Sequence, residues 1–114
     1  MSDDESAALR DRADAGDRDA VDQLVEVAAE SGDLVDLRRL ADRGSHDAAD
    51  ELIQLAGERG DIPELRRLSD LGNATATDEL IQVAGEAGDV DELRRLARQG
   101  NSAATEQLAE LFGE

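Results

Sequence analysis

The stretch Gly-Asp-Ile-Pro-Glu-Leu-Arg-Arg-Leu at residues 60–68 determines how the rest of the chain is interpreted. Two close copies of it are present, Gly-Asp-Leu-Val-Asp-Leu-Arg-Arg-Leu at residues 32–40 and Gly-Asp-Val-Asp-Glu-Leu-Arg-Arg-Leu at residues 88–96, each 28 residues from the central copy. A fixed spacing of this size is typical of a repeat array, in which each unit buries its apolar face against the next unit. We therefore interpret every other residue by its place in a 28-residue period.

Each period predicts two helices joined by short turns. A Gly followed by Asp, Ser or Asn ends one helix and caps the next. Glu64 and Glu92, three residues after their caps, predict capping boxes in which the Glu side chain bonds back to the cap. Turns this short join antiparallel neighbours. The first helix of each period is capped by Asp17, Ser45, Asn73 or Asn101, and the second by Asp33, Asp61 or Asp89.

The sequence thus predicts an all-α protein, an α-solenoid of tandem antiparallel helical hairpins with about eight short helices in one domain. We expect an acidic tail at 1–5, an N-terminal capping helix at 6–16, repeats at 17–44, 45–72 and 73–100, and a C-terminal half repeat at 101–114 that acts as a capping helix. Phe112 replaces Ala84 and is expected to cover the last hairpin. Gly57 and Gly85 interrupt first helices and are expected to allow close backbone approach between hairpins.

Gly72 and Asn73 with Ala76, Leu80 and Ala84 resemble the opening of Sel1-like helices, in a shortened form of the tetratricopeptide superfamily. The same pattern returns at residues 100–108, while the Trp, Tyr and C-terminal Pro marks of tetratricopeptide repeats are missing. Residues 28–44 are also similar to ankyrin helices, without the Thr-Pro-Leu-His opening. Both families mostly bind proteins or peptides. The resemblance implies a non-enzymatic binding scaffold whose first helices line a concave surface, and no specific ligand.

The composition narrows the class of partner. The chain has 29 Asp and Glu residues against 12 basic residues, all Arg, and a formal net charge of −17. Such a field repels phosphate backbones and anionic membranes, so neither nucleic acid nor membrane is an expected partner. Acid excess without Lys resembles proteins from salt-loving archaea. With no long apolar run and an acidic start at residues 1–5, we expect a cytoplasmic protein.

The sequence offers no chemistry for catalysis. It has no Cys, and the single histidine, His46, follows a helix cap without a repeated partner. The glycines end helices and match no phosphate-binding loop. We therefore predict that the chain is not an enzyme and has no catalytic residue, cofactor or metal.

A polar ladder on the first helices is the candidate partner-binding site, with a preference for a basic protein or peptide. The alternative is that this ladder is only a solvated helix face. Its members are Glu26, Gln54 and Gln82, with Glu110 at the same position of the half repeat, and one turn later Glu30, Glu58 and Glu86.

The arginine pairs of the second helices allow two interpretations. Arginines at 38–39, 66–67 and 94–95 either grip acidic peptides or pair with carboxylates of the fold. We favour the second, with Asp36–Arg39 and Glu92–Arg95 as examples, because carboxylates are in such excess.

A second hypothesis about function is a structural or self-assembling repeat module, natural or engineered, with no dedicated ligand. The array begins with a helix of the second type and ends with one of the first type, so its two ends are complementary. A monomer is expected, with end-to-end association as the alternative.

Overall fold

The computed structural model describes residues 3–113, with side-chain burial from Ala7 onward. These residues form α1 (Asp3–Asp14), α2 (Arg18–Ser31), α3 (Leu34–Asp42), α4 (His46–Arg59), α5 (Ile62–Asp70), α6 (Ala74–Ala87), α7 (Val90–Arg98) and α8 (Ser102–Leu111), and no strand. The prediction of an all-α protein with about eight helices is confirmed. None of these eight helices combines the length and the apolarity that a membrane crossing requires.

All seven predicted helix caps are found. Asp17 Oδ1 accepts a hydrogen bond from the backbone N–H of Asp19 at 3.0 Å, and Asn73 Oδ1 accepts one from Ala76 at 3.0 Å. Each bond satisfies an N–H group that the first turn of a helix leaves without an acceptor. The caps therefore fix the start of each helix. As at Asn73, the backbone N–H of the third residue along donates to the cap side chain at Ser45, Asn101, Asp33, Asp61 and Asp89.

Only half of the capping box predicted at Glu92 is formed: Asp89 accepts the bond from the Glu92 N–H, but the prediction that the Glu92 side chain bonds back to Asp89 is wrong. The backbone N–H of Asp89, which the Glu92 side chain was expected to bind, donates instead to the carbonyl oxygen of Ala84 at 2.8 Å. That bond closes the end of the preceding helix. The Glu92 carboxylate turns to Arg95 and Arg66. The N–H of Asp61 is likewise used by the preceding helix.

Two compact units, Met1–Leu55 and Ala56–Glu114, divide inside α4 and are described separately. In the first unit, α2 packs against both α1 and α3. Its buried apolar residues include Leu9, Ala20, Leu24, Val25, Ala28, Leu37 and Leu40.

In the second unit, α6 packs against α5, α7 and α8, and α7 also packs against α8. Burial of one Leu side chain stabilises the fold by about 2 kcal/mol, so the Leu positions dominate the core. The buried apolar residues of this unit include Leu65, Leu68, Leu80, Ile81, Leu93 and Leu96.

The first helix starts earlier than expected. α1 begins at Asp3, whereas the sequence suggested a tail through residue 5 and a helix from Ser6. Acidic residues in a first turn interact favourably with the helix dipole, which accounts for the extra turn. Residues 1 and 2 of the expected tail lie outside the described residues. The repeat boundaries and the single domain stay predictions.

Phe112 does not cover the last hairpin. It is the C-cap of α8 and is 57% exposed, whereas Ala84, at the same place in α6, is fully buried. The guanidinium carbon of Arg94 lies 5.9 Å from the centre of the Phe112 ring, a cation–π contact. α6 is covered by α5, α7 and α8, whereas among the described helices only α6 and α7 pack against α8, so the ring remains at the surface.

Gly57 and Gly85 lie against side chains of the next first helix. A Cβ atom at Gly57 would stand 2.5 Å from Glu79 Oε2, and one at Gly85 would stand 2.6 Å from Gln107 Oε1. The sequence-based expectation of close backbone approach is therefore wrong about the atoms in contact. The glycines accommodate the ends of flexible polar side chains.

Candidate functional site

Four arginines of the second helices form ion pairs within the fold: Arg39, Arg66, Arg67 and Arg95. In the second unit, Glu92 is 3% exposed and accepts hydrogen bonds from Arg95 on its own helix, at 2.6 Å, and from Arg66 on α5, also at 2.6 Å. Burial raises the pKa of the Glu92 carboxyl, but the hydrogen bonds from the two arginines outweigh it and lower that pKa below its ordinary value. Glu64 pairs with Arg67 three residues along at 2.8 Å.

The first unit repeats this arrangement with aspartate. Asp36 lies 3.3 Å from Arg39 on its own helix and 3.6 Å from Arg10 on α1. The predicted pairs Asp36–Arg39 and Glu92–Arg95 are confirmed. The guanidinium groups named here therefore serve the packing of second helices, and they leave less positive surface for an acidic peptide.

All six candidate residues of the first helices are exposed. Gln82 donates a hydrogen bond to Glu86 one turn along, at 3.4 Å, which is a weak contact. The structure brings Glu26 and Glu30 into one groove and leaves the others outside it. The exposed candidates are Glu26, Glu30, Gln54, Glu58, Gln82 and Glu86.

We name as the acidic groove a depression of about 460 Å³ in the first unit, between α2 and the first turns of α4. Its floor is apolar, made by buried Val25 and half-buried Ala29. Its walls carry only carboxylates: Asp22, Glu26 and Glu30 on α2, and Asp47, Asp50 and Glu51 on α4.

Helix geometry places these carboxylates together. Asp22, Glu26 and Glu30 are spaced four residues apart, so they stack along one face of α2. Each like-charged pair at this spacing destabilises a helix by roughly 0.2–0.5 kcal/mol. The groove therefore keeps an unfavourable concentration of negative charge that a cationic ligand would relieve.

Four carboxylates of the groove were not predicted from the sequence: Asp22, Asp47, Asp50 and Glu51. The spacing of Asp22 and Glu26 along α2 was a usable signal. The sequence contains no such signal for the carboxylates of α4, because only the packing of the helices shows which face of α4 meets α2.

A second cleft of the first unit, about 690 Å³, contains His46. Arg18, Arg43 and Asp47 also line it, and Arg43 forms an ion pair with Asp14. Within the described part of the chain, no group of three or more His, Asp or Glu side chains has an arrangement that could hold a metal ion. The structure thus groups no further residue with His46 into a metal site.

Comparison of the chain with protein-family models, with curated proteins and with solved structures finds no match in any of the three.

Proposed function

We propose that this chain is a non-enzymatic helical-repeat scaffold that binds basic segments of proteins along the exposed face of its first helices. The proposal includes a stacking of the hairpins as an α-solenoid, similar to tetratricopeptide and Sel1-like arrays. Helix bounds that recur at 28 residues, from Arg18 to His46 to Ala74, support that stacking.

The acidic groove is the observation that carries the proposal. It joins six carboxylates to an apolar floor, and two of its residues are the predicted Glu26 and Glu30. A basic helix or extended segment with one apolar residue facing Val25 and Ala29 matches both properties. Charge complementarity of this kind speeds association and selects against acidic partners.

The first helices of the second unit are acidic as well. α6 contains Asp78, Glu79 and Glu86 and no basic residue, and α8 contains Glu106 and Glu110 and no basic residue. The arginine pairs lie on α3, α5 and α7 instead. The first helices are therefore the acidic set in each unit, and those of the second unit offer the same kind of charge to a basic segment.

The test is binding of a fluorescein-labelled amphipathic peptide with Arg on one face and Leu on the other, measured by anisotropy in about 0.15 M KCl. We expect the wild-type chain to bind it and the variant with Glu26→Gln and Glu30→Gln to bind about tenfold more weakly, since each lost charge contact is worth roughly 0.5–1 kcal/mol. Glutamine preserves side-chain size, so the fold is retained.

The matched control is Asp91→Asn, which removes one charge from the exposed surface of α7. The dissociation constant of the peptide from the Asp91→Asn variant should stay near the wild-type value, whereas Glu26→Gln alone should raise this constant. Equal effects of these two single substitutions would show that only the total charge matters, and the proposed site would be wrong.

A further inference from the structure

Ion pairs between consecutive second helices have a fixed register in the second unit. Asp70 on α5 lies 3.5 Å from Arg95 on α7, and Arg66 on α5 lies 2.6 Å from Glu92 on α7. The middle of α5 thus meets the first turn of α7, and the C-terminal end of α5 meets the middle of α7. The carboxylate of Asp70 forms an ion pair with an arginine 25 residues later in the chain.

One period further along, the sign of this contact is reversed. α7 has Arg98 where α5 has Asp70. Arg98 is exposed, and among the side chains of residues 7–113 no carboxylate lies within ion-pair distance of it or of Arg94. The outer face of α7 therefore presents two arginines, one turn apart, where α5 presents an arginine and an aspartate.

The other half of the contact is reversed in α1. Counting in steps of 28 residues, the place of Arg95 is taken by Arg67 in α5, by Arg39 in α3 and by Asp11 in α1. Asp11 is exposed. α1 thus occupies the place of a second helix but has an aspartate, Asp11, where the other second helices have an arginine. Its charge is therefore complementary to that of α7, which has Arg98 where α5 has an aspartate.

An apolar surface accompanies the arginines of α7. Val83 and Ala84 of α6 are 7% and 0% exposed, but their counterparts in α8, Leu111 and Phe112, are 41% and 57% exposed. α6 is packed by α5 and by α7, whereas α8 is packed by α6 and α7. The exposed pair is what a further second-type helix would cover.

We propose that a second copy of this chain docks here, with α1 of one copy against α7 and α8 of the next and Asp11 paired with Arg98. The second-type register of α1 and the double reversal of charge select this occupant. The contact is heterologous, so it leads to open chains of copies. It uses surfaces other than the acidic groove and does not depend on peptide binding.

The net charge of −17 sets the conditions for this contact. Repulsion between whole copies acts over the Debye length, about 10 Å in 0.1 M salt and about 3 Å in 1 M salt. The contact of Leu111 and Phe112 is not weakened by salt. Association should therefore strengthen as KCl is raised into the molar range.

Sedimentation velocity of the wild-type chain in about 1 M KCl is the first measurement. We expect an average mass that rises with concentration above the 12.2 kDa of one chain. Asp11→Arg and Arg98→Asp should each weaken association about threefold, because an attraction becomes a repulsion between like charges that 1 M salt screens only in part.

A mixture of the two single variants should associate again. In the mixture, the arginine introduced at position 11 of one variant meets the aspartate introduced at position 98 of the other. The unchanged Arg98 of the first variant meets the unchanged Asp11 of the second, so the two variants alternate along the chain of copies. The variant with both substitutions should also associate on its own. Glu86→Arg is the control, since it changes the net charge by the same amount as Asp11→Arg but lies on the first-helix surface.

Several results would overturn the proposal. One is a monomer mass at every concentration and KCl level. A second is equal association of the Asp11→Arg and Glu86→Arg variants, which would indicate that the net charge of the chain, and not the position of the charge, controls association. A third is a mixture that associates no better than its separate variants.

Discussion

At the scale of single residues, the buried carboxylate of Glu92 is the most informative side chain. It is held by arginines that are themselves 44% and 29% exposed, so breaking the pair leaves these arginines in water. We expect Glu92→Gln to destabilise the fold by about 1–2 kcal/mol, below the value for an ion pair with both partners buried. Urea denaturation measures this, and Asp91→Asn is the exposed control, expected within about 0.5 kcal/mol of wild type.

The same residue gives a dependence on pH. Because the pKa of Glu92 in the folded chain lies below its ordinary value of 4.5, the unfolded chain takes up this proton first as the pH falls. The stabilisation is complete above that ordinary value and is lost as the pH falls through the lower folded pKa. The free-energy difference between wild type and Glu92→Gln should therefore shrink in acid. A difference that is constant from neutral pH down to about pH 3 would contradict the ion-pair account.

Sequence reasoning reached part of this residue-scale structure. The Asp36–Arg39 and Glu92–Arg95 pairs were predictable because three-residue spacing on a helix brings side chains together. The Arg66–Glu92 pair joins residues on two helices and depends on how those helices pack. The same limit applies to the acidic groove, whose α2 wall includes the predicted Glu26 and Glu30 while its α4 wall was found only in the structure.

At the scale of helices, the caps were predictable and the ends of the array were not. Cap residues act through bonds within three residues, so local sequence identifies them. The positions of Phe112 and of the Glu92 side chain depend on competing partners, Arg94 for the ring and Arg66 for the carboxylate. Local rules contain no information about those partners.

The two helical glycines provide a prediction at this scale. Gly57→Ala and Gly85→Ala should each stabilise the fold by about 0.5–1 kcal/mol, because alanine favours helix and the opposing Glu79 and Gln107 side chains can rotate away. Ala29 already occupies the corresponding position of α2. Thermal unfolding of the two variants measures the effect.

Gly60→Ala is the matched control for these variants. Gly60 has a φ of +65°, a backbone conformation that strains a residue with a Cβ atom, so this substitution should destabilise. Destabilisation by all three alanines would mean that Glu79 and Gln107 are held rigidly over Gly57 and Gly85.

At the scale of the whole molecule, the net charge of −17 is the main determinant of how stability depends on salt. Repulsion among exposed carboxylates opposes the compact state, and salt screens it. We expect the melting temperature to rise by about 5 °C or more between about 0.1 M and 2 M KCl, measured at low protein concentration to keep association out of the result. A melting temperature that stays flat or falls would remove the argument from halophilic-type composition.

The central claim is that basic segments bind in the acidic groove, and an NMR titration tests it most directly. The chain is labelled with ¹⁵N and titrated with the unlabelled Arg-rich amphipathic peptide. The account predicts that backbone amide shifts change mainly at residues 22–30 and 47–51, and that these changes are lost with Glu26→Gln and Glu30→Gln. Changes centred on the second helices α3, α5 and α7, or spread evenly over the chain, would contradict it.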